Sequence, residues 1–109
     1  MTLMRQVYGH VFKEERTRQL LTIRDLHEMS AVSIGYISNI ENGHKEPSSE
    51  VIYSLCDALC LELEVFLLRS AKRAREIRIA EEFQDSKSYI AHNKARPVYP
   101  EYATAAATK

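Results

Sequence analysis

From Leu21 to Gly43 the chain reads LTIRDLHEMSAVSIGYISNIENG, and this stretch constrains the fold more than any other. It spells two very short helices. Thr22, with Asp25 three residues on, is a helix start close to a capping box. The first helix then runs over 23–29, burying Ile23 or Leu26 together with Met29. SAVS at 30–33 is a connector whose last residue, Ser33, caps a second helix. That helix ends at Asn42, with Gly43 as its left-handed stop. Helices of this length are marginal in water, so a larger body must support them from behind. Ile37 and Ile40, three apart, are the residues that attach the second one. Two short helices joined by a tight connector form the helix-turn-helix layout.

The remaining sequence supplies that body. Over 3–18, the residues Leu3, Met4, Val7, Val11 and Phe12, with Tyr8 beside them, recur at spacings of three and four, the signature of an amphipathic helix. Ser48 starts a further helix over 49–59 with Val51, Ile52, Leu55, Cys56 and Leu59 on one face. LELEVFLL alternates briefly, but with no partner strand it is read as the start of a fifth helix, from about Glu62 to Gln84. The 109 residues hold only three Gly and three Pro, which favours helices over a turn-rich β fold. The expected fold class is all-α, with five helices, the last one extended, followed by an arm. The expected division is a helix-turn-helix domain over 1–68 and a C-terminal extension over 69–109, helical to about residue 85.

Composition excludes more than it specifies. No apolar run approaches the ~20 residues of a membrane span, and the N-terminus lacks a charged-then-apolar leader, so a cytoplasmic, nucleoid-associated location is expected and no membrane partner. Cys56 and Cys60 are two ligands where a zinc site needs about four; the expectation is a packed Cys56, a Cys60 near a helix end, and no metal or cofactor. The histidines His10, His27, His44 and His92 are scattered, no nucleophilic triad or phosphate-cradling loop is present, and no catalytic residue is expected. Formal net charge is zero, so a basic footprint for nucleic acid is weak overall, although RSAKRAREIR at 69–78 concentrates five Lys/Arg against Glu76 alone.

The residue types on the outer and leading side of the second short helix suit the DNA major groove, which admits one α-helix. Ser33 caps the helix and can donate to a phosphate. Gly35 lets base edges approach, Asn39 can pair bidentately with adenine, and Ile34 can touch a thymine methyl. Ser and Asn are also ordinary surface residues, so these types alone leave a plain surface helix open.

The stretch LTIRDLHEMSAVSIGYISNIENGHKEPSSEVIYSLCDAL resembles the Cro/C1-type, or XRE-type, helix-turn-helix family. The matches are Leu21, Thr22, Leu26, Val32, Ser33, Tyr36, Ile37, Ser38, Ile40, Glu41, Gly43, Pro47 and Ser48, within a resemblance covering about residues 8–68. GYISNIENGHKEPSSEVIYSLCDAL looks most like actinobacterial regulators of Clp protease genes. The resemblance implies a five-helix, lambda-repressor-like domain that works as a homodimer on a palindromic operator in double-stranded DNA. By position it implies base reading by Ile34, Gly35 and Asn39, and Ser38 and Tyr36 nearby complete the expected base-reading set. It places phosphate contacts at Ile23 and Asn42 and a structural ion pair between Arg16 and Glu41; Thr22, Ser33, His44 and Lys45 are further residues expected to touch phosphates. Three departures stand out. His27 replaces a small residue in the middle of the first short helix and should alter packing or be pushed to the edge. Ala31 replaces the turn glycine, at a cost of roughly 1 kcal/mol if left-handed. Ile23 stands where the family often has Gln, which removes one phosphate-binding side chain.

The apolar stripe of the last helix, Phe66, Leu67, Ala71, Ala74, Ile77 and Phe83, is expected to build the dimer interface; the basic run on its other side is a solvated face or touches phosphates. In the tail, Tyr89, Ile90, Val98, Tyr99 and Tyr102 suit an arm exchanged between subunits or a disordered segment, and residues 103–109 suit a protease recognition tag. The leading function is a sequence-specific transcriptional regulator, activating Clp proteolysis genes. The competing readings are an antitoxin, whose tail neutralises a toxin, and a protein-interaction module that does not bind DNA.

Overall fold

The structure, a computed structural model, describes residues 3–84. The tail from 86 on, with the tyrosines and the 103–109 segment read above, lies outside the described residues. Five helices follow one another: α1 (Met4–Arg18), α2 (Ile23–Ser30), α3 (Ile34–Glu41), α4 (Ser49–Ala58) and α5 (Leu63–Gln84). No strand occurs among the described residues, and LELEVFLL is helical from Leu63 on, one residue after the expected start at about Glu62. One compact unit closes at Arg78, and a second begins at Ile79.

The core of the first unit gathers every helix around Phe12, Leu26, Ile37, Ile40, Leu55, Leu59 and Phe66, each at most 1% exposed. The Phe12 and Phe66 rings stack with centroids 4.5 Å apart, and Tyr8 meets Phe66 at 5.3 Å. Phe66, expected on the partner-facing stripe, is therefore a correction: it holds α5 to α1 and has no surface to offer a second subunit. Met29 is a second correction. It is 51% exposed, because Leu26, one turn earlier, already takes the core position with Ile23 packed beside it.

Three helices end in the same way. After α1, Leu20 N–H donates to Thr17 O and Leu21 N–H to Arg16 O; after α3, Gly43 donates to Ile40 O and His44 to Asn39 O; after α4, Cys60 donates to Asp57 O and Leu61 to Cys56 O. This is the Schellman pattern, with its C′ residue left-handed. The three C′ residues have φ of 60° at Leu20, 73° at Gly43 and 53° at Cys60. Only one is glycine. Where the next residue is apolar and packed into the core, as Leu21 and Leu61 are, that packing holds the turn and a side chain is tolerated at C′. After α3 the next residue is the exposed His44, no such anchor exists, and the turn uses glycine.

The basic run at the start of α5 is partly consumed inside the fold. Arg69 reaches across to α1, donating to Glu15 Oε1 at 2.5 Å and to Glu14 Oε1 at 2.6 Å. Glu15 is 3% exposed and also accepts from Arg18 and from Gln19 Nε2, while Gln19 Nε2 donates on to Leu59 O at 2.8 Å. Burial pushes the Glu15 carboxyl up, but the bonds from Arg18, Gln19 and Arg69 outweigh it and hold the group down at about 2. Arg69 is thus a tie between α1 and α5, and the network extends the first unit past residue 68.

Candidate nucleic-acid interface

The α2–α3 corner is held by local bonds and by one long-range clamp. Thr22 Oγ1 accepts from Asp25 N–H at 3.0 Å while Asp25 Oδ2 accepts from Thr22 N–H at 2.8 Å, a complete capping box. The backbone N–H bond from Thr22, and the bond to its hydroxyl, hold the Asp25 carboxyl below its usual range. At the far end of α2, Ala31 is left-handed with φ 62°, its N–H donating to His27 O at 2.8 Å. Ser30 Oγ donates to Leu26 O at 2.6 Å and accepts from Val32 N–H at 3.2 Å. His27, half-buried at the edge of the helix, points its Nδ1 at Val32 O, 2.7 Å away. A carbonyl only accepts, so Nδ1 carries the proton. The bulky substitute at 27 laces the turn instead of prying it open.

α3 rests on α1. A methyl group built on Gly9 would lie 2.0 Å from Ile40 O, so glycine is what lets the two backbones approach. Arg16 then fixes both ends of the corner. Its Nε and Nη2 donate to Glu41 Oε2 and Oε1 at 2.7 and 2.9 Å, and its Nη1 donates to Leu21 O at 2.6 Å. One guanidinium on α1 holds the entry to α2 and the last residue of α3. The side chains are 11% and 3% exposed, which suits a geometric role and leaves neither group a DNA contact.

The outward side of α3 differs sharply from its back. Ile37 and Ile40 are buried, whereas Ser33, Ile34, Gly35, Asn39 and Asn42 are exposed and Ser38 and Tyr36 half-buried. Ser33 Oγ accepts from Tyr36 N–H at 3.1 Å, which leaves its hydroxyl hydrogen available. Asn42 Nδ2 lies 3.5 Å from Ser38 Oγ, at the outer limit of a hydrogen bond. Gly35 contrasts with Gly9. A β-carbon there would meet nothing within 4 Å, and no positive φ requires glycine. Gly35 is the second residue of α3, where glycine costs at most the ~1 kcal/mol relative to alanine of a helix interior, and nothing inside the domain accounts for it.

The flanks hold the remaining candidates. Thr22, His44 and Lys45 are exposed. Ile23 turns its side chain toward the core, so the group it can offer a phosphate is its backbone N–H in the first turn of α2. Arg24, absent from the sequence expectations, is exposed in that same turn. A cation at a helix N-terminus opposes the macrodipole; that local disadvantage was the signal that marks it as a phosphate-contact candidate. On α5, Leu67 is 49% exposed and Phe83, in the second unit, 68%; Ala71 and Ala74 are exposed and Ile77 half-buried. Cys56 is buried, which pushes its thiol up to about 11, while Cys60 is exposed. The described residues contain no group of three His, Cys, Asp or Glu placed to hold a metal ion.

A family model described as Helix-turn-helix matches residues 12–66, the span that contains the clamp, the turn and α3. The transcriptional regulator ClgR of Mycobacterium tuberculosis is 44% identical over 79 residues, 72% of this chain and 70% of that protein. Two crystal structures of the clp gene regulator ClgR from Corynebacterium glutamicum share the fold. One is 38% identical with a TM-score of 0.63 over 66% of this chain and 94% of that one. The other is 33% identical with a TM-score of 0.70 over 84% and 96%. The corner clamped by Arg16, the exposed face of α3 and these likenesses lead to one conclusion: the chain belongs to the helix-turn-helix transcriptional regulators, in the ClgR family.

Proposed function

We propose that this protein is a sequence-specific regulator of clp protease genes that binds a palindromic operator as a homodimer, with α3 in the major groove. The observation that carries the reading is Gly35. It stands exposed in a short helix, costs stability there, and serves neither packing nor backbone conformation, which is what close approach by a base edge requires. Asn39 and Ser38 then read base edges, Ile34 contacts a thymine methyl, and Thr22, the Ile23 N–H, Ser33, Asn42, His44, Lys45 and Arg24 contact phosphates. The link to clp genes rests on what the ClgR relatives are named for. A single α3 reads few base pairs, and doubling the site across a two-fold axis supplies the missing specificity. The exposed Leu67, Ala71 and Ala74, with Ile77, are the α5 residues of the first unit assigned to that axis.

The test is selection of bound duplexes from a random pool by the full chain, with the mass of the free protein and of its complex measured in parallel. The expected result is a palindromic site bound by a dimer, with affinity falling steeply as salt rises. Asn39→Ala should weaken binding to that site by about 1–3 kcal/mol and relax preference at one base pair per half-site. A selected site that Asn39→Ala binds unchanged would show that α3 is not the reading element.

A further inference from the structure

Tyr36 lies on α3 among the residues assigned to base reading, yet its ring is only half-exposed and packs against the core. Lys45 lies beyond the end of α3, and its Nζ is 4.9 Å from the centre of the Tyr36 ring. The backbone at Lys45 is held as well. Gly43 turns left-handed at φ 73°, and the N–H groups of His44 and Lys45 both point to Asn39 O, at 2.9 and 3.3 Å. Lys45 is itself exposed and makes no ion pair among the described residues. A lysine on an exposed loop normally samples many rotamers. Here a ring fixed by the core offers its negative face to the ammonium, and the aliphatic stem can lie along the same apolar surface while the charged end stays in water.

We infer that Tyr36 is a positioning residue: it holds the Lys45 ammonium beside α3, where the cation meets a backbone phosphate flanking the bases that α3 reads. The inference rests on the DNA-binding reading above. The mechanism is a reduction of the entropy lost on binding. A cation already held near its bound position loses less freedom when the phosphate arrives, and an ammonium over a ring keeps N–H donors free for an oxygen. Tyr36 then contributes to affinity without contributing to sequence preference, unlike Asn39.

The experiment is a double-mutant cycle on the duplex selected by the unmodified full-length chain, using Tyr36→Leu, Tyr36→Phe, Lys45→Met and Tyr36→Leu/Lys45→Met, with thermal midpoints measured for each. Tyr36→Leu should weaken binding about two- to five-fold in the Lys45 background, Tyr36→Phe little, and Tyr36→Leu not at all once Lys45→Met is present. Lys45→Met should flatten the salt dependence by about 0.9 in log–log slope, and neither substitution should alter the selected sequence. A second reading needs no DNA: the Lys45 Hε proton resonances of the free protein should lie upfield of those in Tyr36→Leu, through the ring current. Additive losses in the cycle, or a base-pair preference relaxed by Tyr36→Leu, would overturn the coupling while leaving the DNA reading intact. If the unmodified chain selects no duplex, the functional reading has failed; Lys45 resonances unmoved by Tyr36→Leu would overturn the positioning contact itself.

Discussion

Arg16 and Glu41, twenty-five residues apart in sequence, meet through two charge-assisted hydrogen bonds at 2.7 and 2.9 Å, and Arg16 spends a third N–H on Leu21 O at 2.6 Å. The three bonds join α1, the entry to α2 and the exit of α3. A buried pair of this kind adds little net stability over an apolar substitute, but stranding one partner is costly. Arg16→Met and Glu41→Leu should therefore each destabilise the domain by about 3 kcal/mol or more, and Arg16→Met/Glu41→Leu by clearly less than the sum of the two. Urea unfolding of the four proteins measures this, and additive losses would show that the pair acts as two independent groups.

Gly9 and Gly35 should respond to alanine in opposite directions. At Gly9 the added carbon meets the Ile40 carbonyl at 2.0 Å, so α1 and α3 must separate; a loss of about 2 kcal/mol or more is expected. At Gly35 the carbon enters open space, and the helix should gain about 0.5–1 kcal/mol while operator affinity falls. Thermal unfolding and operator titration of both variants check the contrast. A Gly35→Ala protein that is more stable and binds equally well would remove the reason for assigning that residue to DNA.

Ala31 occupies φ 62° in the α2–α3 turn. Ala31→Gly removes the left-handed penalty and adds freedom to the unfolded chain, and these terms partly cancel. The net expectation is stabilisation of about 0.5 kcal/mol, with Ala31→Val, whose branched carbon fits this region worse, destabilising by more than that. The two midpoints in urea should bracket that of the unmodified protein.

Acid should weaken the fold through Glu15. Its folded-state pKa is held at about 2 against an ordinary 4.5, so between those values the unfolded chain binds the extra proton. The stabilisation is complete above about pH 4.5 and is lost as pH falls toward 2. It amounts to at most about 3 kcal/mol. Comparing the pH dependence of unfolding for the unmodified protein and Glu15→Gln isolates it: the slope between pH 4.5 and 2 should be shallower in Glu15→Gln.

Much of the architecture was legible locally. Thr22 with Asp25, Ser33 and Ser48 marked three helix starts, and each accepts the backbone N–H bond expected of a cap. Gly43 marked the stop of α3, and the spacing of Ile37 and Ile40 marked its inner face. Such signals act over three or four residues, so the chain carries them whatever else surrounds it. The outward face of α3 was legible for the same reason: once two isoleucines are turned inward, helical geometry leaves Ile34, Gly35 and Asn39 outside.

The rest depended on neighbours distant in the chain. Phe66 fits a partner-facing stripe equally well by periodicity; only Phe12 and Tyr8 arriving from α1 make it core. Arg69 reads as part of a solvated basic run until Glu14 and Glu15 stand opposite it. Leu20 and Cys60 carry no local mark of a left-handed turn, because the packing of Leu21 and Leu61 behind them holds it. By itself the sequence determined where α2, α3 and α4 begin, where α3 ends and which side of α3 faces out, since caps and periodicity are short-range. Tertiary structure alone decided which apolar and charged groups are consumed inside the fold, because burial and ion pairing depend on what the folded chain places across from each residue.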